Sequence, residues 1–186
     1  MTLDALLRVL AQSLSASGTP YMITGSVAAA YHGAARATMD VDAVIDPTPA
    51  QLADLVQRLE NAGLYVSAEA AREALADRTM FNVIDPETGW KADLIVRRHR
   101  PFSDEEFARQ LPTELLGQRV AVATLEDVIL SKLEWATMGG SARQLEDVRR
   151  LLAIGDDALD LAYIKRWIEP LGVRRAWQSV LDEPAS

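Results

Sequence analysis

The stretch from Thr79 to Val96, TMFNVIDPETGWKADLIV, constrains the fold more than any other part of the 186-residue chain. Two strand-like runs flank the turn sequence Pro86-Glu87-Thr88-Gly89 and so specify an antiparallel hairpin. Elsewhere, up to about Val122, short apolar runs alternate with helix-period segments. A hairpin set into such a chain makes the sheet mixed. Beyond Val122 the pattern is helical to the end. TLEDVILSKLEWATM opens with a Thr124-x-x-Asp127 cap and stops at Gly139-Gly140, and SARQLEDVRRLLAI, LDLAYIKRWIEPL and RRAWQSVL follow. The expected class is α+β: a mixed β-sheet core with helices over residues 1–123, then a C-terminal helical region, 124–186, packed on that core.

The remaining elements fill in around the hairpin. PYMIT reads as a buried strand that ends at Gly25-Ser26, and SVAAAYHGA as a small-residue helix weakened by Gly33. DVDAVID alternates and stops at Pro47, and RVAVA is a short strand. TPAQLADLVQRLENAGL is a helix that Thr48 caps, with Pro49 in its first turn, Leu52, Leu55, Val56 and Leu59 on one face and Gly63 at its end. Leu3, Leu6, Leu7, Leu10 and Leu14 keep helical spacing at the start, and Asp4 stands where a secretory signal carries positive charge. An amphipathic helix in a cytoplasmic protein is expected there. With 49% hydrophobic and 25% charged residues, the chain has the means to bury a sizeable core. Its net charge of -8 repels nucleic acid unless basic residues gather locally. The absence of cysteine excludes disulfides, thiolate zinc sites and thiol nucleophiles.

Two aspartates stand out. In a strand, Asp40 and Asp42 project to one face while Val41 and Ala43 face the other. Like charges so placed repel and raise a pKa. A divalent cation removes that cost, and magnesium takes one or two carboxylates together with waters and phosphate oxygens. Asp93 adds a third carboxylate inside the otherwise apolar hairpin strand, a position that strand propensity disfavours. At Gly25-Ser26, glycine lets the backbone approach a ligand, and Ser26 opens a helix with its hydroxyl and free N–H groups turned toward an anion. The parts describe a site for a nucleoside triphosphate (NTP) with Mg2+ between its phosphates and Asp40, Asp42 and Asp93, the third carboxylate sharing a metal or taking a proton.

Other features have plainer readings. Lys132 lies on a helix with Val128, Ile129, Leu133 and Trp135, and is either solvated or a ligand. The Arg97, Arg98 and Arg100 cluster serves a triphosphate or RNA, or simply balances an acidic protein. His32 and His99 are too separated for a histidine metal site. Tyr31, Trp135, Trp167 and Trp177 are expected in the core.

Gly25-Ser26, Asp40-x-Asp42 and a later lone Asp93 resemble the signature of the nucleotidyltransferase superfamily of the DNA polymerase β type. FNVIDPETGWKADLIV, RPFSDEEF, EDVILSKLEWA and GGSARQLEDVRRLL are similar to the minimal nucleotidyltransferases grouped with the AbiEii-type toxins. The resemblance runs from about Tyr21 to Leu181. It implies a nucleotidyltransferase core, aspartates that bind magnesium, a Gly25-Ser26 corner that holds the triphosphate, and Lys132 on phosphate. It also implies transfer of a nucleoside monophosphate to a hydroxyl of RNA, at a tRNA end, or of protein, by a toxin with an antitoxin partner. The family's basic residue before Asp147 is Glu146 here, so Asp147 receives no role. Two alternatives stand beside this. One is a haloacid-dehalogenase-type phosphatase, with Asp40 as nucleophile, Thr124, Lys132 and GDDALD at 155–160, although AARATM before Asp40 lacks the apolar strand that nucleophile follows. The other is a catalytically silent fold that only binds nucleotide.

Overall fold

A computed structural model describes residues 1–155 and 159–182. Its centre is a mixed seven-stranded sheet built from β1 (Tyr21–Thr24), β2 (Asp40–Ile45), β3 (Tyr65–Val66), β4 (Met80–Ile84), β5 (Lys91–Val96), β6 (Leu111–Leu115) and β7 (Gln118–Val122), in the order β3-β4-β5-β2-β1-β7-β6. The expected hairpin is β4 and β5, paired antiparallel with Asn82 opposite Asp93. Asp85 shapes its turn by accepting hydrogen bonds from the Glu87 amide and the Thr88 hydroxyl. β5 then runs parallel to β2, and β1 runs antiparallel to β2.

The helices before and between the strands are α1 (Leu3–Ala16), α2 (Gly25–Tyr31), α3 (Pro49–Asn61), α4 (Ala68–Asp77) and α5 (Pro101–Ala108). The Thr48 cap is complete: its hydroxyl accepts from the Gln51 amide while the Gln51 side chain accepts from the Thr48 amide. α1 packs on α3 and over β2 and β7, with Leu6, Leu7, Leu10 and Leu14 fully buried. Val41, Ala43, Ala92, Leu94 and Val96 fill the apolar face of β2 and β5. The C-terminal helices are α6 (Leu125–Gly139), α7 (Ala142–Gly155), α8 (Leu161–Ile168) and α9 (Arg174–Asp182). α6 packs against α2, α7, α8 and α9, and one hydrophobic cluster runs from the sheet into these helices.

Four elements have no counterpart in the sequence reading: β3, α4, α5 and β6. β6 is an edge strand, largely exposed and containing Pro112, so it shows no buried alternation. α5 starts with Pro101 at its first turn but has little difference between its faces. β3 is two residues long. α4 is rich in alanine and capped by the Ser67 hydroxyl, a helix of good formers with few large apolar residues to mark it.

Candidate active site

Strand register brings the three aspartates together. Asp42 stands opposite Asp93 across the parallel β2–β5 pair, and Asp40 stands opposite Lys91. Period-2 alternation puts all four on one face, where the three aspartates line a cleft of about 250 Å³ between the sheet and α6. The corner of β1 and α2 closes one end. Thr24 pairs with Asp42 in the β1–β2 register, so Gly25 follows beside the Asp42 carboxylate. The approach is so close that a Cβ on Gly25 would lie 1.8 Å from Asp42 Oδ2, and Gly25 has φ +62°. Only glycine tolerates both conditions. The sequence suggests a ligand's approach as the reason for this glycine; the structure shows that a neighbouring carboxylate already requires it.

Electrostatics at Asp42 are unbalanced. Burial, then Asp40, then Asp93 push its carboxyl up to about 6, while the Ser26 backbone N–H and Lys132 pull it down. Asp40 accepts a hydrogen bond from the Thr38 hydroxyl. Asp93 accepts from Asn82 Nδ2 at 2.5 Å and from Lys91 Nζ at 2.9 Å and 3.1 Å. Burial works to lower the Lys91 pKa, but Asp93, with Asp40 and Asp42 behind it, raises it on balance. The ammonium therefore stands among the carboxylates as the cation they share. Among the described residues no group of three or more acidic, imidazole or thiol side chains is placed to hold a metal ion, so magnesium here would rest on one or two carboxylates. An open edge with one uncompensated carboxylate suits magnesium, which keeps waters and takes phosphate oxygens.

The anion-facing corner is arranged differently from the expectation of free N–H groups. The Ser26 amide serves Asp42, and the Ser26 hydroxyl accepts from Arg36 Nη2. Arg36 Nε is 3.0 Å from Asp147 Oδ2, and Lys132 Nζ is 2.7 Å from the same oxygen. Lys132 is 3% exposed, which excludes the solvated reading. Burial lowers its pKa against the pull of Asp147. Burial works to raise the Asp147 pKa, but Lys132 and Arg36 hold its carboxyl below the ordinary range. Asp147, left without a role in the sequence, thus joins two cations that line the cleft. Thr24 Oγ1 is buried at the same corner and has no hydrogen-bond partner, an orphaned donor and acceptor beside Asp42.

Several residues are placed elsewhere or used up. Arg97 is bound to Asp46 and Asp104, and Arg98 and Arg100 to Glu134, which favours the charge-balancing reading of that cluster. His32 Nε2 is 2.8 Å from the Ala123 carbonyl. Trp167 and Trp177 are buried as expected, but Tyr31 is 41% and Trp135 40% exposed. The core expectation fails for these two because their positions on α2 and α6 face outward; Trp135 lines the cleft. For the phosphatase alternative, Asp40 is the first residue of β2, so no strand leads into it, and Thr124 is engaged in capping α6 with Asp127. Asp156 and Asp157 of GDDALD lie outside the described residues.

Arg36, Thr38, Lys91 and Glu106 escaped the sequence reading. Lys91 had a signal: it is two residues before Asp93 on the same strand, hence on the same face. Arg36 and Glu106 reach the cleft through tertiary packing, which leaves no local pattern.

No family model and no curated protein matches the sequence. Solved structures do. The solution structure of the antibiotic-resistance factor ANT(2'')-Ia is similar with a TM-score of 0.59 at 12% identity, over 96% of this chain and 94% of that one. The crystal structure of ANT(2'')-Ia in complex with adenylyl-2''-tobramycin gives 0.61 at 15% identity, over 94% and 99%. An antigenic nucleotidyltransferase-like protein from Paracoccidioides brasiliensis gives 0.57 at 19% identity, over 99% and 94%. The mixed sheet with its C-terminal helices is therefore a nucleotidyltransferase fold.

Proposed function

We propose that the protein is a magnesium-dependent nucleotidyltransferase, moving a nucleoside monophosphate from an NTP to a hydroxyl. The observation that carries this reading is the Asp40, Asp42 and Asp93 face with its uncompensated Asp42 carboxylate, set beside the orphaned Thr24 hydroxyl. Magnesium held by Asp40 and Asp42 would offset the charge of the triphosphate oxygens and polarise the attacked phosphorus, with Asp93 left for the acceptor. Thr24, Ser26, Arg36 and Lys132 orient the triphosphate. The acceptor oxygen attacks the α-phosphorus as Asp93 takes its proton. The new O–P bond forms, the bond from the α-phosphorus to the bridging oxygen breaks, and pyrophosphate leaves.

The acceptor in this reading is an RNA, at a tRNA end, or a protein side chain. In this reading the protein acts in the cytoplasm as the toxin of an AbiEii-like toxin–antitoxin pair, which the sequence resemblance alone supports. No described helix is long and apolar enough to cross a membrane. A small polyhydroxylated acceptor is the second reading, favoured by the adenylyl-2''-tobramycin bound to a similar fold. The test is incubation with Mg2+ and each NTP, labelled at the α- or the γ-phosphate, together with cell RNA, cell protein or an aminoglycoside. Label from the α-position alone should reach an acceptor. Transfer of γ-label, or of none, overturns the reading.

A further inference from the structure

One end of the cleft is not used by the proposed chemistry. On α6, Ser131, Trp135 and Met138 follow one another at spacings of four and three along the same wall. Across from them, the carboxylate row of the sheet gives way to Val44, Ile95 and Met80, which stand side by side in the strand register. Trp135 is 40% exposed and Met138 59%, so a large aromatic face is held open to a cleft whose opposite wall is apolar. At the floor lies Glu106, 5% exposed, with its Oε1 accepting a hydrogen bond from Ser131 Oγ at 2.9 Å. Apolar walls with hydrogen-bonding groups among them, Glu106, Ser131 and the Arg100–Glu134 ion pair, have the chemistry that a heteroaromatic ring needs.

We propose that this end of the cleft is a nucleobase subsite, in which the base stacks on Trp135 and its edge is read by Glu106. The proposal rests on the nucleotidyl-transfer reading and identifies a part of the same site. Burial, with Asp127 nearby, pushes the Glu106 carboxyl up to about 8 against the pull of Ser131 and Arg100. A neutral carboxyl group presents one donor and one acceptor. That pair matches the N1 and N6 edge of adenine, whereas the N1 and N2 edge of guanine offers two donors. The base belongs either to the NTP or to the terminal nucleotide of an RNA acceptor, and the two sources share this chemistry.

Calorimetric titration of the full chain in Mg2+ separates these cases. The ligands are ATP, GTP, inorganic tripolyphosphate and an adenine-ended single-stranded oligoribonucleotide; the proteins are wild type, Trp135→Ala and Trp135→Phe. Trp135→Ala should weaken a base-bearing ligand by roughly 5- to 150-fold, the range for one stacked base, and Trp135→Phe should restore most of the loss. Tripolyphosphate should bind all three proteins equally. Loss on ATP assigns the subsite to the NTP; loss on the oligonucleotide assigns it to the acceptor. Glu106→Gln, which keeps a donor and an acceptor, should retain the preference for adenine over guanine, and Glu106→Leu should abolish it. If Trp135→Ala binds every ligand as wild type does, the subsite is wrong while the transfer reading stands. If wild type binds neither ATP nor tripolyphosphate, the transfer reading itself fails.

Discussion

Asp42 and Asp127 are both drawn out of water, and the protein treats them in opposite ways. Asp127, fully buried at the start of α6, receives the Tyr163 hydroxyl at 2.5 Å, the Thr124 hydroxyl at 2.6 Å and Arg109 Nε at 3.3 Å. Burial raises its pKa, but each of those partners works against the rise. The bonds tie α6 to α8 and to the residue that ends α5. Asp42 has one backbone N–H and the pull of Lys132 against burial and two neighbouring carboxylates. A buried acid whose partners are all within the chain is structural. In the proposed function, one left short by its own neighbours takes its partner from outside.

The largest effect expected from breaking this contrast is at Asp93. Asp93→Asn should leave Mg-NTP affinity nearly unchanged and slow transfer by roughly 10² to 10⁴, the range for a general base. A transfer assay run beside calorimetry checks both halves. Wild-type rates would make Asp93 a strand residue, and lost affinity would move it to the nucleotide's metal shell.

Asp127→Ala comes next and should act on stability alone. Removing the shared acceptor leaves the Tyr163 hydroxyl without its partner and takes one of the two carboxylates from Arg109, which keeps Glu126; the loss should be about 1 to 3 kcal/mol by chemical denaturation, as for a buried hydrogen-bonding group left unsatisfied. A loss below about 1 kcal/mol would show that Asp127 does not hold these helices together.

Smaller still is the difference between two glycines. Gly63 has φ +83° with nothing within 4 Å of an added Cβ, whereas at Gly25 the same addition meets Asp42. Each alanine variant should lose roughly 1 to 2 kcal/mol to left-handed strain. Only Gly25→Ala should also lose transfer, because Asp42 must move. Equal transfer in the two variants would separate the position of Asp42 from function.

Sequence alone located the aspartates because strand alternation is a local rule: Asp40-x-Asp42 and Asp93 declare their faces without any partner being known. The hairpin, the Thr48 and Thr124 caps and the helical C-terminal region were legible for the same reason. What sequence could not supply was the pairing of distant elements. Nothing near Arg36 announces Asp147, which is 111 residues away, and nothing near Trp135 shows that its face of α6 opens on a cleft. Gly25 was legible as a special position, but its cause, the Asp42 carboxylate, came only with the β1–β2 register.

In the proposed function Asp42 is held at an electrostatic cost that a magnesium nucleotide would relieve, and thermal unfolding of Asp42→Asn measures that cost. Because the folded pKa is raised from an ordinary 3.8 to about 6, the cost is absent below about pH 4, grows as pH rises through 6 and is complete above it. Asp42→Asn should therefore match wild type at pH 4 and exceed it at pH 8, by on the order of 1 to 3 kcal/mol. Magnesium and NTP together should raise the melting temperature of wild type and leave that of the variant unmoved. A variant less stable than wild type at pH 8, and still stabilised by magnesium and NTP, would contradict the claim.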